Sequence, residues 1–302
     1  MSSKQGFLIL DKPSGLTSQK ALYKVRRALG LRKAGHTGTL DPLATGVLPI
    51  ALGSATKAIP FLDESKKIYE VKGQLGVSTD TYDMDGKIIG KGDWRQVEVR
   101  DLEALLEKFI GPILQNPPVY SAIKVKGKAL YRYARQGKKV KVPPRKVLVE
   151  EIRLLDWCGP YFTLKIVCSR GTYVRSLIHD LGKELKVGAT VVALRRLVTG
   201  PFSLAQALSL EEVLEQEPED LERKLVPLEE CLSHWPRFSL ADDVEYRRVC
   251  NGVPLYRISQ AIASGGLQGS QVALSYRQRV VALIAVAPDG SFRYSRVLDT
   301  IH

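Results

Sequence analysis

Apolar residues along this chain fall into strand-length runs and helical stripes, separated by polar punctuation. Residues 6–10 are an apolar run, and the stretch 11–15, Asp11-Lys12-Pro13-Ser14-Gly15, predicts a turn after it. Thr17 or Ser18 then caps a helix whose apolar face is Ala21, Leu22, Val25 and Leu29, with Gly30 to end it. A second apolar run, 46–52, predicts a buried strand. Over 67–77 the alternation places Tyr69, Val71 and Gly73 on one strand face, and 78–86 is a polar loop. Leu102, Leu105, Leu106 and Phe109 give 97–110 the spacing of an amphipathic helix. Residues 146–157 and 161–168 read as two strands joined by Cys158-Gly159-Pro160, and 172–185 as a helix. Residues 189–197 read as a strand, broken by Gly200-Pro201. Nine acids between 211 and 230 predict a solvated helical face.

Past His234-Trp235-Pro236 the pattern changes. It predicts a helix over 242–250, a turn at Asn251-Gly252, and strands over 271–275, 280–287 and 292–297. Asp289-Gly290 is the hairpin turn between the last two. Long strands with hairpin-like links indicate an α+β fold with a mixed, largely antiparallel central sheet flanked by helices, not alternating βαβ units. The predicted organisation is a large domain, 1–236, and a small, mostly β domain, 237–302.

Composition adds a partner class. The 302 residues can bury a full core, and the net charge of +13 favours a polyanion, nucleic acid ahead of an anionic membrane. The charge is concentrated: 120–146 holds ten Lys or Arg and no Asp or Glu, with Tyr131 and Tyr133 interleaved. Cys158, Cys168, Cys231 and Cys250 lack metal or redox spacing and read as reduced thiols of a cytoplasmic protein. The four histidines are scattered, no apolar run approaches the length of a membrane span, and the N-terminus lacks a signal-peptide core. Neither a phosphate-binding loop nor a dinucleotide fingerprint occurs.

Four features could carry chemistry. The loop 35–46 frames one carboxylate, Asp41, with Gly35, Gly38, Gly46 and the stiffening Pro42. Tyr69 sits on a strand facing inward. Ser169-Arg170-Gly171-Thr172-Tyr173-Val174-Arg175 lies where a strand ends and a helix starts. The fourth is the basic stretch at about 120–146.

Together these resemble the TruB family of pseudouridine synthases, bacterial enzymes acting at tRNA position 55. Gly35-His36-Thr37-Gly38-Thr39-Leu40-Asp41-Pro42-Leu43-Ala44-Thr45-Gly46 is similar to the family signature around its aspartate. Residues 11–18, Lys67-Ile68-Tyr69 with 79–86, 117–124, and 170–175 resemble its other motifs, and Leu194 falls where the family has a leucine against the target base. The resemblance implies a pseudouridine synthase fold with a C-terminal PUA-like domain, and isomerisation of the T-loop uridine. It makes Asp41 the nucleophile, attacking either the ribose carbon or the uracil ring. Arg175 would keep Asp41 ionised, Tyr69 would stack on the uracil and help remove its ring proton, and Tyr173 and Leu194 would wall the slot. His36 would brace the space the flipped base leaves, and Lys12 would support the loop at the substrate. Lys124, Lys126, Lys128, Arg132, Arg135, Lys138, Lys139 and Lys141 would grip RNA phosphates from an insertion that is mobile without RNA. The resemblance also implies no metal or organic cofactor, and a monomer that needs no guide RNA or protein partner. Residues 237–302 would touch the acceptor end of the tRNA.

Three other functions fit parts of the pattern. An RNA chaperone needs only the basic surface. A guide-RNA-dependent subunit of the dyskerin type would carry lysine-rich extensions, which this chain lacks. A retaining glycosidase needs a second carboxylate; Asp80, Asp83 and Asp85 are available, but none is framed as Asp41 is.

Overall fold

A computed structural model describes residues 5–299 except 122, 135, 139, 141, 266 and 268, with the side chains of 131 and 263 also outside the description. Among the described residues a ten-stranded mixed sheet forms the main body. Its principal strands are β1 (Gly6–Lys12), β2 (Thr45–Leu52), β3 (Lys66–Leu75), β4 (Gly111–Gln115), β5 (Arg145–Cys158), β6 (Tyr161–Ser169), β7 (Ala189–Thr199) and β8 (Leu208–Ser209). Their order is β8-β1-β2-β7-β3-β6-β5-β4. Only β8 with β1 and β7 with β2 run parallel along this path; the other pairs are antiparallel. Both faces are covered, so β1 is apolar on both. Leu8 and Leu10 enter one core while Phe7 and Ile9 enter the other.

Helices α1 (Ser18–Ala28), α2 (Val99–Glu107) and α3 (Val174–Glu184) supply apolar stripes to the first core. Thr17 caps α1 by accepting from the Lys20 N–H at 3.2 Å. A four-stranded sheet follows, with Arg237–Ser239 parallel to Gln271–Tyr276 and two antiparallel strands beyond, Arg279–Val286 and Phe292–Val297. It joins the main body through the second core, where Ala273, Val280, Leu283 and Leu298 meet Phe7, Ala51 and Phe202. The Lys57 ammonium donates to the Val297 and Leu298 carbonyls across that junction.

Several expectations shift. The first strand runs through Asp11 and Lys12, which pair with Val47 and Gly46, so the turn begins later. Gly35 lies in a short strand, Ala34–His36, paired with β2, and has no positive φ. Gly38 and Gly46 do adopt the left-handed region, at φ 63° and 100°. A Cβ on Gly46 would collide with the Arg196 backbone, where β2 and β7 lie side by side. Strand β4 and the helix Tyr256–Gly265 escape the sequence pattern. The acidic stretch forms three short helices, not one, and Leu210, Val213 and Leu221 anchor it.

Candidate active site

The loop that carries Asp41 is held from beneath by residues 12–18. The Lys12 ammonium is fully buried and donates to the carbonyls of Pro13, Leu16 and Pro42 at 2.8, 2.8 and 3.2 Å. Ser18 both accepts from the Leu40 N–H and donates to its carbonyl, and Ser14 donates to Leu43. Gly15 N–H donates to Pro42 O at 2.8 Å. Lys12 therefore supports the loop from beneath and lines neither cavity beside Asp41. Burial, the largest cause, pulls its pKa down to about 8, against the attraction of Asp41.

Lys12→Met removes that ammonium from the Pro13 and Leu16 carbonyls, while the Pro42 carbonyl keeps only the Gly15 N–H. The expected cost is about 2–3 kcal/mol of unfolding free energy, read by urea melts. The folded pKa near 8 lies below the usual lysine value of 10.5, so the unfolded chain holds more protons between them. Stability therefore rises with pH across that window, and the Lys12→Met protein must show a shallower rise.

Asp41 meets Arg175 across 134 residues of sequence. Arg175 Nη2 donates to Asp41 Oδ1 at 3.1 Å. Its Nε lies 2.8 Å from Oδ2 as an ion pair without hydrogen-bond alignment. The guanidinium is only 4% exposed, whereas the Asp41 side chain is 33% exposed. Arg175 Nη1 also donates to Thr81 O at 2.7 Å and to Asp83 Oδ2 at 3.0 Å, and Nη2 donates to Tyr120 O at 3.0 Å. One cation thus ties the Asp41 loop, the polar loop 78–86 and the start of the basic insertion to α3. Burial raises the Asp83 carboxyl, opposed by the Thr81 hydroxyl and Arg175.

Asp41 and Arg175 stand between two cavities. The first, about 360 Å³, is lined by Tyr69, Tyr173 and Leu194 together with Lys67 and Thr172. Burial raises the phenols of Tyr69 and Tyr173; Arg196 opposes the shift at Tyr69, and Ser121 opposes it at Tyr173. Tyr173 precedes α3, and its backbone N–H and C=O are held by the Gln115 side chain at 2.7 and 3.0 Å. The second cavity, about 610 Å³, adds His36, Gln19, Pro42 and Asp83 to Asp41 and Arg175. Burial, then Arg196, lowers the His36 pKa, so its ring is neutral at pH 7.

Asp41, Arg175, Tyr69, Tyr173, Leu194 and His36 therefore converge. Sequence reasoning missed Asp83, Lys67 and Arg196. Arg196 is fully buried and donates to Val47 O at 2.8 Å and Gly38 O at 2.7 Å, bracing the loop from the β7 side. Alternation along Leu194-Arg195-Arg196 already puts Arg196 on the face of Leu194. Lys67 carries a pKa lowered to about 8 by burial and by Arg196, against Glu64 at 3.8 Å. In the insertion, Lys124, Lys126, Arg132 and Lys138 are exposed. Lys128 is half-buried over the Tyr133 ring and donates to Gln136. Arg135, Lys139 and Lys141 lie outside the described residues.

The chain matches a chain of an H/ACA ribonucleoprotein bound to a substrate RNA containing 2′-deoxyuridine, with TM-score 0.72 and 25% identity over 98% of this chain and 86% of that one. Curated proteins named tRNA pseudouridine synthase B match more closely. The Geobacter sulfurreducens protein is 42% identical, covering 93% of this chain and 92% of its own. That of Syntrophotalea carbinolica is 37% identical over 97% and 98%. This sheet and this site define a pseudouridine synthase fold, with the small C-terminal sheet as its PUA-like part. Residues 26–174 match the family model described as TruB family pseudouridylate synthase, N-terminal domain, and 175–233 match the tRNA pseudouridylate synthase B C-terminal domain. The chain belongs to the TruB family.

Proposed function

We infer that this chain isomerises the T-loop uridine of tRNA, position 55, to pseudouridine, with Asp41 as the nucleophile. The observation that carries this reading is the Asp41 carboxylate, held by Arg175 at 2.8 Å and presented to a cavity walled by Tyr69, Tyr173 and Leu194. The target base leaves its stack at a cost of a few kcal/mol and enters that slot. The His36 ring lines the cavity on the other side of Asp41 and braces the space that the flipped base leaves in the RNA. An Asp41 oxygen forms a covalent bond to the nucleoside, at the ribose carbon or the uracil ring, and the N1–C1′ bond breaks. The base turns, C5 bonds to C1′, the Asp41–nucleoside bond breaks and returns its electron pair to the carboxylate, the C5 proton leaves and N1 regains one, so atoms and electrons balance. Tyr69 is the stacking platform and helps remove the ring proton; burial raises its phenol, and Arg196 beside it opposes that shift. Exposed cations of the insertion hold phosphates, and T-loop shape sets the choice of uridine.

Large and small domains divide near residue 236 in this reading, and the small one reaches the acceptor end. The chain acts as a monomer without guide RNA or protein subunit, because the relatives named for tRNA are far closer in sequence than the ribonucleoprotein chain. None of the described helices is long and apolar enough to cross a membrane. The test is incubation of the purified protein alone with an unmodified tRNA transcript, followed by chemical mapping of pseudouridine. Modification at the T-loop uridine only is expected; another position, or a requirement for a second RNA, refutes the proposal. A tRNA-folding role on the same basic surface is the second reading.

A further inference from the structure

Between Pro13 and Leu40 the chain carries Lys20, Lys24, Arg26, Arg27, Arg32 and Lys33 and no Asp or Glu. The 120–146 insertion is therefore not the only acid-free basic stretch. On α1, Gln19, Lys20, Tyr23, Lys24 and Arg27 are exposed and follow one face of the helix. They line an open groove of about 790 Å³ whose apolar floor is Leu16, Ala28 and Leu214. The neighbouring short helix, Leu210–Glu215, contributes Leu214 to this groove and none of its three glutamates. Among the described residues, none of the six cations lies within salt-bridge distance of a carboxylate, whereas Arg95, Arg100 and Arg153 pair with Asp93, Glu98 and Glu151. Exposed cations left without acids are what an external polyanion needs.

The groove also has a direction. Gln19 lines both it and the 610 Å³ cavity that Asp41 and Arg175 share. From Gln19 to Arg27 the helix rises about 12 Å, so a chain leaving the site can run along α1. Tyr23 is 53% exposed midway, with the Arg26 guanidinium over its ring at 5.5 Å.

We propose that the α1 groove binds the RNA strand flanking the flipped nucleotide, with Lys20, Lys24 and Arg27 on phosphates and Tyr23 stacking one base. This rests on the reading of the site as tRNA-modifying. The probe is a stem-loop RNA of the T-arm, titrated against the full chain from low to moderate salt. The triple variant Lys20→Ala, Lys24→Ala, Arg27→Ala is expected to flatten the slope of log K against log salt by about 2 and to weaken Kd roughly tenfold. Tyr23→Ala should weaken Kd by roughly tenfold with an unchanged slope. A control triple of the paired Arg95, Arg100 and Arg153 to Ala removes the same charge and should leave the slope alone. The control arginines line neither cavity beside Asp41, so kcat of the control triple at saturating RNA is expected to stay unchanged. An unaltered slope in the α1 triple, an equal loss in the control, or full affinity in Tyr23→Ala overturns the proposal. Failure of the unsubstituted protein to bind the stem-loop would instead sink the tRNA reading itself. A groove that serves an anionic membrane would leave RNA binding untouched.

Discussion

Asp41→Asn is expected to yield a folded protein that binds tRNA and forms no detectable pseudouridine. The amide keeps the shape of the side chain but supplies no anionic oxygen to bond to the nucleoside, so turnover should fall at least about 10⁴-fold. Binding should stay within roughly threefold, because phosphate contacts carry most of the affinity. The fold should survive, since Arg175 keeps Asp83 at 3.0 Å, Thr81 O at 2.7 Å and Tyr120 O at 3.0 Å. Release of tritium from C5-labelled uridine in single turnovers, beside filter binding, measures both quantities. Residual turnover above about 1% of the unsubstituted rate would mean that another group opens the glycosidic bond. The same variant separates the two readings: intact tRNA folding activity without isomerisation would show that the folding role stands by itself.

Arg175→Lys is expected to lower kcat by about 10²–10³-fold, with a loss of stability as well. A lysine ammonium cannot grip both Asp41 oxygens while also reaching Asp83, Thr81 and Tyr120. Arg175→Met goes further, stranding the buried Asp83 beside Asp41 without a cation, at about 3–5 kcal/mol. It also has a pH signature. Burial already raises the Asp83 carboxyl, and losing the cation raises it more. With the folded pKa above the unfolded one, the folded protein holds the extra proton, so stability falls as pH rises through that window. Urea midpoints near pH 5 and near pH 8 should therefore bring the Arg175→Met protein closer to the unsubstituted one at the acid end. An equal gap at both would show that Asp83 is not the stranded charge.

The difference between Asp41 and Asp83 marks the limit of what a linear reading can find. Asp41 announces itself by its surroundings, a lone acid among glycines, threonines and a proline. Asp83 sits among Asp80 and Asp85 with nothing local to distinguish it. It is picked out only because the loop folds back on β7, where Asp83 bridges Val191 and the Thr79 and Thr190 hydroxyls meet. Lys12 shows the converse. Its motif was legible, but its direction was not, because the same ammonium could have faced the substrate or the carbonyls beneath the loop. The basic face of α1 was fully visible in the sequence, yet only its shared lining with the Asp41 cavity connects it to the site.

The sequence alone determined most of the elements, the alternation that turns Tyr69 and Leu194 inward, the candidate nucleophile and the sign of the net charge, since these depend on residue type and local spacing. Tertiary structure decided which charges meet. The sheet order and the placement of α3 bring Arg175 against Asp41, Asp83 and the Tyr120 carbonyl, and set Arg196 under the Asp41 loop. Such encounters span 55 to 158 residues of chain, and a buried cation takes whichever acids and carbonyls the packing leaves it, because going without them costs more than the fold can spare.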